Sequence, residues 1–418
     1  MKVLLLCNII PLEISLYLGN DRVVYGGWIS TLIEQLDKES LDICVAFPYN
    51  INIDKIEVNK IIYYGFSSRY KEPTKYDSAL VKRFEDIIIR ENPDIVHVFG
   101  TEYPHTLAMT RAFNHPERTV CHIQGLVSVI GRHYCAGLPE NICKKTTFRD
   151  FLRHDNIKNQ QNKFYKRGEY ELAALKNIGH IMGRTEWDKA CTSLINPNAE
   201  YHYVQEIMRA PFYEGQWKFE DCEKYTIFMS QGAYPIKGLH YVLEALVLIK
   251  KRYPQVKLFI GGCSLVSSKS LKEKLRESSY SRYINKQIKN NNLQDSIVFL
   301  GNLSAEEMKA QYLRCNVFVS ASTIENSPNS VGEALLLGVP VVASDVGGVS
   351  SIATHNETAL LYPSDEPYML AHYVCKLFNN QKVAMKLGLR AKSHADDLYE
   401  ITRIVANVMN IYNVMIRG

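Results

Sequence analysis

Two glutamates eight residues apart, Glu325 and Glu333, bracket a Ser-Pro-Asn-Ser turn in "ENSPNSVGEALLLGVPVVASDVGG". A carboxylate accepts hydrogen bonds from a pair of neighbouring hydroxyls, as on a ribose or a hexose, whereas it repels a phosphate. Between the acids the spacing predicts a helix over 328–337, stopped by Gly338 and Pro340, with Ser327 as N-cap and Pro328 at the first helical position. The amides of Asn329 and Ser330 then stand at the positive end of that helix, which suits a phosphate or diphosphate. Glu325 reaches a group beyond one end of the diphosphate and Glu333 a group beyond the other. Hydroxyls, diphosphate, hydroxyls is the layout of a nucleotide-sugar. An isolated pair of acids at this spacing is most often a solvated helix face, but here strand, cap, proline, glycine stop and the following Gly-Gly turn agree with one another.

The elements that must hold these residues are legible as alternation. Short apolar runs such as "KVLLLC", "LDICVAF", "KIIYYG", "PDIVHVFG" and "RTVCHIQG" alternate with helical patterns such as "GGWISTLIEQLDKES" and "KYDSALVKRFEDIIIREN". Strands apolar on both faces, separated by helices, form a parallel sheet with helices on both sides. After a long polar middle the pattern restarts with "YTIFMS", "VKLFIGG", "SIVFLG", "NVFVSAS" and "VPVVAS". At 418 residues the chain exceeds one hydrophobic core, so the expectation is two Rossmann-like doubly wound α/β domains. Their expected bounds are 1–210 and 211–395, with 396–418 a C-terminal helix packing back on the first. Ligands of such sheets bind beyond the carboxyl ends of the strands, which points to an interdomain cleft.

Composition excludes little else. The net charge of +5 is mild, and the ten cysteines are scattered without a paired zinc spacing, which suits reduced thiols in a cytoplasmic protein and gives no reason to expect nucleic acid as a partner. The opening "MKVLLLCNIIPLEISLYLG" reads as a first strand rather than a signal peptide, and no stretch is apolar for the roughly 20 residues of a spanning helix.

"SASTIENSPNSVGEALLLGVPVVASDVGG" resembles the donor-site motif of the family 4 retaining glycosyltransferases of the GT-B fold. The resemblance implies that Glu333 binds the ribose hydroxyls, that Glu325 lies by the donor sugar, and that the amides around Asn329 and Ser330 hold the diphosphate. The family's usual Phe-Gly after the first Glu is Ser-Pro-Asn here. "YGGWISTLIEQL" resembles the family's first-domain loop, so that Gly26 and Gly27 let the backbone approach the donor; a plain strand-to-helix turn is the alternative. "YPIKGLHYVLEAL" resembles the Lys-Gly segment, in which Lys237 neutralises the leaving diphosphate, against a merely solvated lysine. Two departures stand out. The family's Arg before that lysine is replaced by Gly232 beside Gln231, with Arg184 a candidate substitute. In "RTVCHIQGLVS" the usual His-Gly is Gln124-Gly125, with His122 two residues earlier on the same strand face. Gln124 can bond a sugar hydroxyl but cannot act as a base, and His122 considered alone reads first as a core histidine.

The same resemblance implies retention of configuration, with the donor's own phosphate oxygen taking the acceptor proton, and no cofactor or divalent metal. On the acceptor side Glu102, Tyr103 and His105 follow the strand "PDIVHVFG" and offer a carboxylate, an aromatic face and an imidazole, or else form an ordinary helix start. Arg184, Thr185, Trp187 and Asp188 follow "IGHIM" in a comparable position. Residues 141–167 interleave Lys and Arg with Phe and Tyr, as on a surface that meets anionic headgroups at the inner face of a plasma membrane, or as on a solvated lid. The expected function is transfer of a sugar from a nucleoside diphosphate sugar to a glycan or lipid-linked oligosaccharide, in bacterial surface polysaccharide assembly. Alternatives are a nucleotide-sugar epimerase on the same scaffold and a catalytically weak nucleotide-sugar-binding subunit.

Overall fold

The computed structural model describes residues 1–19, 27–262 and 271–417, the side chains of 271, 272 and 274 excepted. Gly26 lies outside the described residues. The chain divides into two compact units, one of Met1–Ile130, Lys163–Arg209 and Tyr399–Gly418, the other of Gly131–Asn162 and Ala210–Leu398. Residues 131–162, expected within the first domain, group with the second unit.

In the first unit the described strands are β1 (Lys2–Leu6), β2 (Asp42–Pro48), β3 (Ile53–Val58), β4 (Ile61–Phe66), β5 (Ile95–Phe99), β6 (Thr119–His122), β7 (His180–Gly183) and β8 (Glu200–Tyr203). They form one sheet in the order β3-β4-β2-β1-β5-β6-β7-β8, parallel except for β3, which pairs antiparallel with β4. The inner strands are apolar on both faces because helices cover both, and Leu4, Leu6, Ala46, Val96 and Val98 are fully buried with Phe84 and Ile87 from the helix Ala79–Glu91. Each of these side chains except Ala46 contributes about 1.5–3 kcal/mol by leaving water. The C-terminal helix Ile401–Arg417 belongs to this unit. Its Tyr412 hydroxyl lies 2.6 Å from Nδ1 of the buried His97 on β5, whose ring burial holds down to a pKa of about 3 and thus keeps neutral.

The second unit holds β9 (Thr226–Met229), β10 (Lys257–Gly261), β11 (Ile297–Gly301), β12 (Val317–Ser320), β13 (Val341–Ser344) and β14 (Leu360–Tyr362), in the order β11-β10-β9-β12-β13-β14. The chain runs outward from β9 to one edge, then returns to β12 on its other side. This is the doubly wound order, and the reversal between β9 and β12 opens a crevice at their carboxyl ends. The first sheet reverses in the same way between β1 and β5.

Candidate functional site

In the second unit the loops after β9, β12 and β13 are laced together by their backbones. Pro235–Lys237 form one 3-10 turn that ends at Gly238 with φ +69°. A Cβ there would fall 1.8 Å from the Ala321 carbonyl oxygen, so only glycine lets this loop sit against the end of β12. The Thr323 amide donates to the Ile236 carbonyl at 2.8 Å. On the other side Gly347 has φ +55°, its missing Cβ would lie 1.9 Å from the Glu325 carbonyl oxygen, and the Gly348 amide donates to that oxygen at 3.1 Å. The second half of the Gly-Gly turn therefore fixes the backbone of Glu325, and the Lys-Gly glycine fixes that of Lys237.

Those two backbones bring the side chains into contact. Lys237 Nζ donates to Glu325 Oε1 at 2.5 Å, and Ser322 Oγ donates to the same oxygen at 2.7 Å. Burial alone would lower the Lys237 pKa, but the Glu325 carboxylate and Tyr234 outweigh it and hold the ammonium above the ordinary lysine range. Its charge is therefore permanent at neutral pH.

The helix that follows is Asn329–Leu336, and its N-cap is Pro328 rather than Ser327. Pro328 has an extended ψ of 109°, which turns its carbonyl to accept the first helical bonds from Val331 at 2.9 Å and Gly332 at 3.2 Å. Ser327 is thereby pushed one position outside, and its hydroxyl is buried without a partner among the described residues. Gly338, at φ +71°, ends the helix as the sequence predicts. Glu333 is buried within it, 3% exposed. Gln231 Oε1 accepts from the amides of Gly232 and Ala233, so the segment that lacks the family's arginine folds its glutamine onto its own loop.

The reversal of the first sheet carries a different set. Asn8, just after β1, donates through Nδ2 to Glu102 Oε2 at 2.8 Å, and its Oδ1 lies 2.7 Å from Nε2 of His105. Gly100, φ +86°, makes this possible, because a Cβ would sit 2.1 Å from Glu102 Oε2. Burial, reinforced by the charges of Glu171 and Glu206 and opposed by a backbone bond and Arg167, raises Glu102 to a pKa of about 7, and burial lowers His105 to about 3. Tyr103 stacks on the His105 ring, with the Arg167 guanidinium over its own. Asn8, Tyr103 and His105 line a cavity of about 510 Å³ with Tyr49, Tyr70 and Lys71.

The remaining expected residues lie deeper in the first unit. His122 is 1% exposed on β6, its ring against Trp28, His97 and Phe99, and burial holds its pKa well below the ordinary value. Arg184 pairs with Glu206 at 2.7 Å and donates to the carbonyls of Ile123 and Gln124, while the Gln124 amide donates to the other Glu206 oxygen. Arg184 thus braces the end of β6. Thr185 and Asp188 form a capping box for the helix Glu186–Ile195, and Trp187 packs on the core. Gly27 opens the helix Gly27–Asp37, where a Cβ would only touch Arg209 at 3.4 Å. Asn8, Glu206 and the buried Glu171, which accepts from Thr101, Val127 and Ser128, escaped the sequence reading. Asn8 alone had a local signal, its place directly after the first strand.

Residues 213–394, which contain Lys237, Glu325 and Glu333, match the family model described as glycosyl transferases group 1. Over these residues the chain is similar to a glycosyl transferases group 1 domain. Among curated relatives, the putative glycosyltransferase YtcC of Bacillus subtilis is 24% identical over 202 residues, 48% of this chain and 47% of its own. The chain spans about half the length of the curated relatives it matches. Among solved structures, sucrose-phosphate synthase from Thermosynechococcus elongatus superposes with a TM-score of 0.72 at 16% identity over 99% of both chains. Anabaena Alr3699/HepE, solved in complex with UDP and glucose, gives 0.67 at 14% identity over 99% of this chain and 100% of its own. The fold is GT-B.

Proposed function

We propose that the chain transfers a sugar, with retention of configuration, from a nucleoside diphosphate sugar to a hydroxyl of a glycan or lipid-linked acceptor, in the assembly of a cell-surface polysaccharide. The observation that carries this reading is the Lys237–Glu325 pair, held by Gly238 and Gly347 at the reversal of the second unit's sheet, beside the start of the helix Asn329–Leu336. A diphosphate at that helix start meets the backbone dipole and a permanently charged ammonium, which together stabilise the charge that develops on the leaving group. Glu333 takes the ribose hydroxyls and Glu325 the donor sugar. The cationic help comes from the chain itself, so the reading needs no divalent ion. The cavity of Asn8, Tyr103 and His105, with Lys71, Glu72, Lys75 and Asp77 also in its lining, offers hydrogen-bonding groups and aromatic faces that suit the hydroxyls and apolar faces of an acceptor sugar.

An acceptor on a lipid carrier would be met at a membrane surface, and the helix Phe148–Arg153 is built for one. Phe148, Phe151 and Leu152 are more than half exposed beside Arg149 and Arg153. No helix among the described residues is long and apolar enough to cross a membrane, so the contact proposed is peripheral. Anionic vesicles should sediment the chain at low salt, and Phe151→Asp should release it.

Release of nucleoside diphosphate tests the reaction. Turnover that requires an acceptor, survives chelator and is lost in Glu333→Ala supports transfer. Conversion of the donor sugar without acceptor would instead favour an epimerase, and tight donor binding without turnover a regulatory subunit.

A further inference from the structure

The edge of the first sheet, at the amino ends of β7 and β8, carries a group of ligands that the proposed reaction does not use. Parallel register pairs His180 with Glu200 and Met182 with His202. Because side chains alternate along a strand, Glu200 and His202 share one face and flank His180. Nδ1 of His180 lies 3.0 Å from Nε2 of His202, and Glu200 Oε2 lies 3.7 Å from the same His180 nitrogen. One ligand atom from each of the three residues falls within 4.8 Å of the others. Gly179 fixes the approach: its amide donates to the Pro116 carbonyl, its own carbonyl accepts from the Glu200 amide, and a Cβ would fall 2.4 Å from Pro116 O.

The geometry points to a binding site for one divalent transition-metal ion of the zinc class, held by His180, Glu200 and His202, which pins the edge strand β8 to β7. Metal–nitrogen bonds of 2.0–2.1 Å at a tetrahedral centre set the nitrogens roughly 3.4 Å apart, so the two rings must separate by only a few tenths of an ångström. Imidazole binds such an ion as the neutral base. At present the two rings share one N–H between Nδ1 and Nε2. Moving that proton to the far nitrogen of its own ring frees both facing lone pairs without net proton release. For His180 a backbone hydrogen bond at Glu117 waits on the ring, the kind of partner that orients a ligating histidine. Three protein ligands leave a fourth position open to water. The site sits at the opposite end of β7 from Gly183 and Arg184, so its effect is on the fold of the edge, not on the reaction.

The test is calorimetric titration of the metal-stripped 418-residue chain with Zn²⁺, with Co²⁺ absorption as a second probe and melting temperature as a third. The expected result is one saturable site, a Co²⁺ spectrum without a sulfur-to-metal charge-transfer band, and a raised melting temperature. His202→Gln should weaken affinity at least a hundredfold and abolish the melting shift, and Glu200→Ala should weaken it about tenfold. Glu200 is an exposed side chain whose loss leaves folding intact, so it decides the matter even where His202→Gln destabilises the protein. Absence of saturable binding, a thiolate band, or an affinity that Glu200→Ala leaves unchanged would each overturn the assignment.

Discussion

The two sheets reverse direction in the same way, yet the groups they gather at the reversal are opposite in electrical character. In the second unit the reversal holds an ion pair, Lys237 with Glu325, whose cation stays charged at any neutral pH. In the first unit it holds Asn8, Glu102 and His105, with the imidazole kept neutral and the carboxyl raised to about 7. Topology places a crevice; side-chain chemistry decides what enters it. A permanent cation beside a helix start suits a diphosphate, while weakly charged donors and acceptors beside aromatic rings suit a sugar.

The largest effect that would break this contrast is on turnover. Lys237→Ala removes the cation from the leaving group and should lower kcat by about 10²–10³, or roughly 3–4 kcal/mol of transition-state stabilisation, while Tyr103→Ala leaves kcat nearly unchanged. Steady-state release of nucleoside diphosphate measures both. Equal losses in the two variants would mean that the charged and uncharged reversals are not divided between donor and acceptor.

Next in size is the backbone that positions each set. Gly238→Ala must shift a backbone carbonyl and adopt a left-handed conformation, so a loss of about 2–4 kcal/mol of stability is expected, read as a lower urea midpoint. Gly301→Ala is the control, since its φ is +73° but nothing lies within 4 Å of the added methyl; about 1 kcal/mol is expected there. Gly100→Ala differs in kind. The atoms it meets are the ends of the Glu102 and Asn8 side chains, which can move, so it should disturb acceptor binding more than the fold.

These contacts also explain what could be read from the sequence. The inner strands and the helix Asn329–Leu336 were legible because apolar runs and a proline-to-glycine frame report directly on local structure. Strands β3, β8 and β14 were not. β3 and β8 carry "IDKIEV" and "EYHY" at or near sheet edges and so have half-exposed polar patterns, and β14 has only three residues. Lys237 and Glu325 were legible separately, but their hydrogen bond depends on two glycines that meet carbonyls far away in the chain. Asn8 with Glu102, and Arg184 with Glu206, are likewise products of strand order, which no window of sequence contains. The capping error was the smallest kind: Pro328 took the position assigned to Ser327, because an extended proline ends the loop as well as starting the helix.

The pH dependence of stability should separate the two reversals as well. Glu102 keeps its proton in the folded chain up to about pH 7 but loses it near 4.5 when unfolded. At this site the unfolded state therefore binds fewer protons between those values, so the Glu102 contribution to stability falls as pH rises from about 4.5 to about 7, by at most about 3 kcal/mol, against the rise that the buried neutral rings of His97 and His105 give up to about pH 6.5. Glu102→Gln should remove that component, leaving a steeper rise with pH in urea midpoints taken across the range. Lys237 is shifted in the same sense but in another window: its cationic pKa is raised, so its contribution is complete through neutral pH and is lost only in strong alkali, and Lys237→Met should leave the slope between pH 4.5 and 7 intact.

The smallest effect is the most specific to the acceptor. Tyr103 is 38% exposed, its ring stacks 5.5 Å from His105 with 6° between the planes, and Arg167 covers the ring at 5.0 Å. A ring already held between an imidazole and a guanidinium loses little freedom when a sugar settles against its edge or remaining surface. Tyr103→Ala should therefore raise the acceptor KM about tenfold, near 1.4 kcal/mol, with the donor KM and the melting temperature unchanged. Initial rates at saturating donor and varied acceptor measure it. A rise in donor KM instead would assign Tyr103 to the donor, and the electrical contrast between the two reversals would then not divide donor from acceptor.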